Sequence, residues 1–315
     1  MHYNGTDVSL YAWLVYDREG ADKNRDYIEY HYEVGKRYGI TFRLVFADEL
    51  SEDIIDDVIS KDRPDFCIVR TMYTPVYKVL ESRGIRCFNS YKVSYLTDHK
   101  GRCIEYIREY TSVPVVPTTV ISCAGDRSGG DDVMSGEIIS KKSFINVPEI
   151  IDHLKNYPGY VIKSATGHGG SEVMRLTDET LSAARSWLAK GDLLLQPFID
   201  GPGEDVRVYV IGDEIVAAVK RKVGSGRMDS GEFRANASLG GDVSAYELSD
   251  VERQLVRQII DQFDFGMVGI DFIIDKNGAF IFNEIENVVG ARMLYRCCPD
   301  VDILDMYLRY IVGDL

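Results

Sequence analysis

Near the C-terminus, three carboxylates fall at a spacing that would let them act together. Asp271 sits inside an apolar run, Met267-Val268-Gly269-Ile270-Asp271-Phe272-Ile273-Ile274, where a solvated aspartate is out of place. Glu284 and Glu286 follow the turn signal Lys276-Asn277-Gly278. An Asn-Gly type I′ turn would pair Lys276 with Ala279 and, counting back along both strands, set Asp271 directly opposite Glu284. Glu286, two residues on, shares that face. Three acids on one sheet face repel unless a cation neutralises them, and hard oxygen donors suit Mg²⁺, with Mn²⁺ as the alternative. The plain alternative is a solvated strand face with an accidental aspartate, and the apolar context of both strands opposes it.

Other stretches carry the complementary charge. Lys163 ends an apolar strand that runs into Gly167-His168-Gly169-Gly170. One ammonium and several backbone N–H groups can surround a phosphate there. The stretch is no Walker A sequence, and taken alone it would be a flexible turn with His168 a loop residue. Lys220-Arg221-Lys222, followed by Arg227 and Phe233-Arg234-Ala235-Asn236, places positive groups beside glycines. That suits charge developing on a transferred phosphoryl group, although an isolated run of this kind is usually a solvated face. Leu193-Leu194-Leu195-Gln196-Pro197-Phe198-Ile199 is an apolar strand that becomes a linker. Pro197 keeps its C=O and Phe198 its N–H, enough to meet an adenine edge. Asp205, beyond it, could hold a ribose or a lysine.

The elements that must position these residues change character along the chain. Over the first 90 residues, strands at Leu10–Tyr16, Phe42–Phe46 and Phe66–Val69 alternate with helices at Asp22–Arg37, Ser51–Ser60 and from Thr74-Pro75. Alternation implies parallel strands with crossover helices. Thr74 and Thr97 are read as N-caps. No Gly-x-Gly-x-x-Gly follows the first strand, which disfavours a dinucleotide-dependent oxidoreductase. Ser122–Gly136 is read as a mobile loop. In the last third, Val206–Ile211 and Ile215–Lys220 flank Gly212-Asp213-Glu214, and Val268–Ile274 and Ala279–Ile285 flank the Asn-Gly turn, so antiparallel pairing is expected. Ser249-Asp250-Val251-Glu252 is a capping box that opens a helix.

Composition narrows the function classes. The chain has 315 residues and a net charge of −14, which argues against broad binding to nucleic acid or anionic membranes. No apolar run reaches membrane-spanning length and no signal peptide is visible, so a cytoplasmic protein is expected. The six cysteines make no Cys-x-x-Cys pair and are read as reduced; the vicinal Cys297-Cys298 pair is the only redox candidate.

Taken in order, these stretches resemble the ATP-grasp superfamily and, within it, the RimK-type carboxylate–amine ligases. The matching pieces run from Thr97-Asp98-His99-Lys100 through Val161-Ile162-Lys163 with its glycine loop to Gln196-Pro197-Phe198-Ile199. Glu204-Asp205-Val206-Arg207, Ala217-Ala218-Val219-Lys220-Arg221 and Phe233-Arg234-Ala235-Asn236 with Gly240-Gly241 follow. Gly269-Ile270-Asp271 and Asn283-Glu284-Ile285-Glu286-Asn287 complete the series, which covers roughly residues 90–295.

The resemblance implies an α/β plus α+β architecture. Residues 1–92 would form a parallel α/β domain, 93–194 a central lobe with the glycine-rich loop, and 195–315 a C-terminal lobe with the metal site. ATP would lie between the two α+β lobes. Lys100, Lys163 and the loop glycines Gly167, Gly169 and Gly170 match phosphate contacts. Gln196, Pro197, Phe198 and Ile199 match the adenine hinge, and Asp205 a nucleotide-contacting acid. Arg221, Arg234 and Asn236 match residues around the γ-phosphate, the two arginines as the catalytic pair. Asp271 and Glu284 match the Mg²⁺ carboxylates, with Glu286 where the family usually has Asn and Asn287 as its substitute. Val289-Gly290 stands in place of the usual Pro-Gly, and the loop between Arg221 and Phe233 is long.

The implied activity is ATP-dependent formation of an amide or peptide bond through an acylphosphate. The partners would be ATP, a carboxylate and an amine, with a small metabolite, peptide or protein tail as acceptor, in a chain that could form homo-oligomers. A non-catalytic ATP-binding module acting as a sensor or assembly partner is the alternative, opposed by retention of the lysines, arginines and acids. Asp271→Asn and Glu284→Gln are each expected to remove turnover with the fold intact.

Overall fold

Short apolar strands in parallel build the first layer. In the computed structural model, which describes residues 9–123, 140–144, 147–167, 172–188, 190–223 and 242–315, β1 (Leu10–Tyr16) lies between β2 (Ile40–Phe46) and β3 (Phe66–Val69). β4 (Arg86–Phe88) completes a parallel sheet of order β2-β1-β3-β4. Its crossovers carry α1 (Arg18–Lys23), α2 (Arg25–Arg37), α3 (Ile55–Lys61) and α4 (Pro75–Ser82). The helix expected over Asp22–Arg37 is thus two, broken at Asn24, which ends α1 and begins α2. Gly39 and Gly84, at φ 68° and 70°, turn the chain out of α2 and α4 in a conformation costly for any residue with a Cβ. Pro75 opens α4 as expected, but Thr74 is no side-chain cap: its backbone is already helical and its hydroxyl donates to Asp98 Oδ2 at 2.8 Å.

Two further sheets follow. α5 (Tyr91–Thr97) and α6 (Lys100–Tyr110) lead into β5 (Thr119–Cys123), β6 (Ser140–Phe144), α7 (Val147–Leu154), β7 (Val161–Ser164), β8 (Val173–Arg175), α8 (Leu181–Leu188) and β9 (Leu193–Gln196). These strands form a mixed sheet of order β6-β5-β9-β7-β8. The cap of α6 is His99, whose Nδ1 accepts from Arg102 N. Thr97 instead closes α5 and donates to Val93 O.

β10 (Glu204–Ile211), β11 (Glu214–Lys222), β12 (Asp242–Ala245), β13 (Met267–Ile274) and β14 (Phe280–Glu286) make an antiparallel sheet of order β12-β11-β10-β13-β14. Between β12 and β13 lies α9 (Asp250–Ile260), opened by the expected Ser249–Glu252 capping box. α10 (Arg292–Cys297) and α11 (Ile303–Asp314) close the chain.

Packing does not follow chain order. Val93, Cys103, Ile104 and Ile107 of α5 and α6 share one core with Val206, Val208, Ile270 and Phe282, so residues that precede the mixed sheet pack on the antiparallel one. Likewise Leu294, Ile303, Leu308 and Ile311 from the last two helices join Leu14, Phe66 and Ile68 on the first sheet. The other face of that sheet, with Trp13, Val15, Cys67 and Val69, is covered by Ile55, Val76 and Leu80. The first and the antiparallel sheets therefore share a core, while the mixed sheet keeps one of its own.

Among the described residues no helix is long and apolar enough to cross a membrane. Cys67, Cys87, Cys103, Cys297 and Cys298 are free thiols. Most of the Ser122–Gly136 loop lies outside the described residues.

Candidate active site

The site grows from strand register on the antiparallel sheet. Arg221 pairs with Asp205, Arg207 with Asp271, Asp271 with Glu284 and Gly269 with Glu286. Directly paired residues face the same side, so one face carries Asp205, Arg207, Arg221, Asp271, Glu284 and Glu286. Val206, Val208 and Ile270 alternate onto the opposite, core face.

The turn that sets this register differs from expectation. A type I′ turn needs positive φ at both Asn277 and Gly278, yet only Gly278 has it, at 80°. The loop instead holds three residues: Asp275 N donates to Ala279 O, and Asp275 Oδ1 accepts from Asn277 N and Ala279 N. That shifts the hairpin end by one, so Ile274 meets Phe280 and Phe272 meets Phe282. A bulge between Asp271 and Phe272 absorbs the extra residue, Asn283, and returns Asp271 to Glu284.

The acids are neutralised by side chains of the chain itself. Asp271, 2% exposed, takes Arg207 in a fork, Nε to Oδ1 and Nη2 to Oδ2 at 2.8 Å each. Arg221 Nη2 reaches Asp271 Oδ2, also at 2.8 Å, while its Nε donates to Asp205 Oδ1. Arg207 Nη1 lies against Glu286 Oε2. Lys100, the first residue of α6, places Nζ 3.0 Å from Glu284 Oε2 and donates to Gly167 O. Lys163 donates from Nζ to Asn283 Oδ1 at 2.9 Å, across from the mixed sheet. Lys100, Arg207 and Arg221 thus meet the four acids, and Lys163 meets Asn283 beside Glu284; the arginines lie on the same face because strand alternation puts them there.

Burial and charge pull these groups in different directions. Burial alone would raise the Asp271 carboxyl, but Arg207 and Arg221 outweigh it and hold it well below the usual range. Glu284 is likewise lowered against its burial, by Lys100 and Lys163. Burial pushes Asp205 and Glu286 up despite their arginines. Lys163 falls to about 8, chiefly through desolvation, with Lys100 adding to the effect and Glu284 opposing it.

The other expected residues are placed as follows. Gln196 is buried at the end of β9, its amide donating to Thr118 Oγ1 at 2.7 Å. Pro197, Phe198 and Ile199 run on from it into the link toward β10, with the Arg175 guanidinium 3.6 Å from the centroid of the Phe198 ring. Gly167 sits where a Cβ would meet Glu172 Oε2 at 2.9 Å and Ser164 Cβ at 3.0 Å. Gly169, Gly170, Arg234 and Asn236 lie outside the described residues, as does His168. Asn287 is buried, with its side chain bonded to Asn89 and Tyr77, away from the acid row.

Two residues join the site that sequence reasoning had not singled out. Arg207 was discoverable: it stands two residues from Asp205 on a strand whose alternate positions 206, 208 and 210 are valine. Asn283 was not, because only the bulge frees it from ordinary alternation.

The donors suit a divalent cation. Glu284 and Glu286 offer hard oxygens, Glu284 Oε2 facing Lys100 and Glu286 Oε2 facing Arg207. Asp271 already has both oxygens held by guanidinium groups. Among the described residues no three His, Cys, Asp or Glu side chains close around one point.

Two lobes facing each other across buried lysines, arginines and carboxylates define an ATP-grasp enzyme. The ATP-grasp protein with a RimK domain from Sphaerobacter thermophilus superposes with a TM-score of 0.66 at 17% identity, over 96% of this chain and 100% of that one. D-alanine–D-alanine ligase from Bacillus anthracis, complexed with ATP, superposes with a TM-score of 0.66 at 12% identity, over 96% of each chain. The RimK-like ATP-grasp domain family matches residues 137–311. A probable alpha-L-glutamate ligase of Mannheimia succiniciproducens is 30% identical over 234 residues, 74% of this chain and 69% of that protein. Probable alpha-L-glutamate ligase 2 of Hahella chejuensis is 32% identical over 171 residues, 53% of this chain and 54% of its own length. The chain belongs to the RimK-like ATP-grasp family and is an ATP-dependent carboxylate–amine ligase.

Proposed function

We propose that this chain joins an amino acid, glutamate being the first candidate from the names of its relatives, to the carboxylate of a peptide, protein tail or small metabolite. The observation that carries this reading is the matched row of Lys100, Lys163, Arg207 and Arg221 against Asp205, Asp271, Glu284 and Glu286. In a desolvated site such a network is self-compensated until a polyanion enters.

Lys100 and Lys163 sit on opposite lobes and exchange their present partners for phosphate oxygens, drawing the lobes together. The Gln196–Ile199 backbone meets the adenine edge, and Gly167, Gly169 and Gly170 line the phosphates with backbone N–H groups. A carboxylate oxygen of one substrate attacks the γ-phosphorus of ATP. The bond to the bridging oxygen breaks, giving ADP and an acylphosphate. The amine then attacks the acyl carbon, loses a proton and expels phosphate. Arg221, with Arg234 and Asn236, stabilises charge on the transferred group and on the tetrahedral oxyanion. Arg207 holds Asp271 and Glu286 in line with that position. Glu284 and Glu286, beside Asp271, would hold Mg²⁺ or Mn²⁺, which neutralises phosphate charge when bound.

The test is ADP release with ATP, Mg²⁺, L-glutamate and a panel of carboxylates, followed by mass spectrometry of the products. A product heavier by one amino acid residue, with one ADP per bond, is expected. Nucleotide binding without ADP release across the panel overturns the reading in favour of a binding module.

A further inference from the structure

One buried charge lies outside the network above. Arg70, the first residue after β3, is 9% exposed, and among the described residues no carboxylate pairs with it. Its Nη2 donates to Val289 O at 2.9 Å, and its Nε is buried with no acceptor. Its guanidinium carbon stands 5.5 Å from the centre of the Tyr27 ring, and Tyr16 and Tyr307 are its other neighbours. The Tyr27 hydroxyl is itself buried without a partner, while that of Tyr16 lies against Arg70. Asp302, the nearest acid to those tyrosines, is committed to Tyr30 and to the cap of α11. Burying a cation with no acid beside it and a hydroxyl with no partner is unfavourable, so the arrangement calls for an anion.

Topology puts the same place in use. With order β2-β1-β3-β4, the chain turns to opposite sides after β1 and β3. Ligands of open α/β sheets bind outside the carboxyl ends of strands at such a switch point. Tyr16 ends β1 and Arg70 follows β3. The far wall is the Val289-Gly290 segment, which leaves β14 just beyond Glu286. Gly290 O accepts from Tyr209, and Tyr209 is two residues from Arg207. The surroundings of Arg70 are therefore joined to the row of acids through Val289-Gly290 and Tyr209.

We propose that Arg70, with the Tyr16 and Tyr27 hydroxyls, receives a bystander carboxylate, and that the amine substrate is therefore an amino acid anchored at the β1–β3 crevice. A planar guanidinium beside hydroxyl donors matches a carboxylate. A carboxylate held this way has its lone pairs committed to donors, so it is not the one that attacks phosphorus. Naming the ligand as the amine substrate rests on the ligase reading; the carboxylate receptor itself does not.

The experiment uses the full chain, wild type and the variants Arg70→Met, Arg70→Lys and Tyr27→Phe. The twenty common L-amino acids are titrated calorimetrically, and each binder is compared with its own α-carboxamide. In wild type at least one amino acid binds, and its amide binds about 30-fold more weakly or worse. Arg70→Met removes that discrimination and raises KM for the amino acid by a similar factor, with KM for ATP unchanged; Arg70→Lys restores part of it. A merely structural brace on Val289 would move acid and amide alike. Tyr27→Phe, which keeps the ring, weakens the acid several-fold and leaves the amide unmoved, should Arg70→Met fail to fold. Absence of any binder in wild type, or an unchanged acid-to-amide ratio in the variants that fold, overturns the proposal. Arg70-dependent binding with no ADP release for any carboxylate and amine pair would instead leave the receptor standing and sink the ligase reading.

Discussion

The Asp271 network and the Arg70 crevice both bury guanidinium groups, yet they are built in opposite ways. In the first, every cation has an acid on the same sheet face or the facing lobe. In the second, a cation stands among tyrosines, bonded to a carbonyl, with no acid beside it among the described residues. A matched network is stable by itself, and breaking it leaves a charge stranded. An unmatched cation is a stability cost that makes sense once a ligand supplies the missing charge. The contrast separates residues that hold the fold together from residues that wait for substrate.

The largest expected effect comes from Asp271→Asn. It strands Arg207 and Arg221, and unfolding in urea should show a loss of about 3–5 kcal/mol. This revises the expectation of an intact fold, since the carboxylate is a structural node as well as a site residue. Arg70→Met should lose clearly less, because removing an unpaired buried charge offsets the lost carbonyl bond; equal losses in the two variants would erase the contrast.

Glu284→Gln comes next and is the cleaner probe of the chemistry. Its ion pair joins it to the buried Lys100, which keeps its bond to Gly167 O, so stability should fall by less than in Asp271→Asn. ADP release should fall at least about 100-fold. Turnover near the wild-type rate would remove Glu284 from the site.

Lys163 offers a pH test. Its pKa of about 8 lies below the ordinary lysine value of 10.5, so the folded state disfavours the charged form. The resulting penalty is fully present below pH 8 and is relieved as pH rises through 8 toward 10.5. Phosphate beside the ammonium should raise that pKa again. Calorimetric titration of ATP at pH 8 in buffers of different ionisation enthalpy should therefore show proton uptake, and Lys163→Met should abolish it.

The smallest effect serves as a control far from both sites. Ser249→Ala removes a capping box on α9 and should cost about 1 kcal/mol in a thermal melt, with the kinetics of ADP release unmoved.

Much of this was legible in the residues. Alternating strands and helices announced the parallel sheet, and β1 and β3 have the ends expected of them. The meeting of Asp271 and Glu284 was read correctly for an incomplete reason: the turn holds one residue more than a type I′ turn, and a bulge at Asn283 cancels the difference. Local capping was harder. Ser249 caps its helix as read, but Thr74 and Thr97 spend their hydroxyls elsewhere, because threonine competes for any nearby carbonyl or carboxylate. The short strands β4 and β12 and the helix α10 had no signal of their own; neighbouring elements supply their pairing and burial.

By itself the sequence determined which residues could do the chemistry and, through period-two alternation, that Glu284 and Glu286 share a face. Alternation is a local property of backbone geometry and survives any tertiary arrangement. Only the tertiary structure decided who neutralises whom. Lys163 reaches Asn283 from another sheet, and Arg70 meets Val289 across more than two hundred residues. Whether a buried charge is paired depends on the groups that surround it in three dimensions, and no spacing along the chain encodes that.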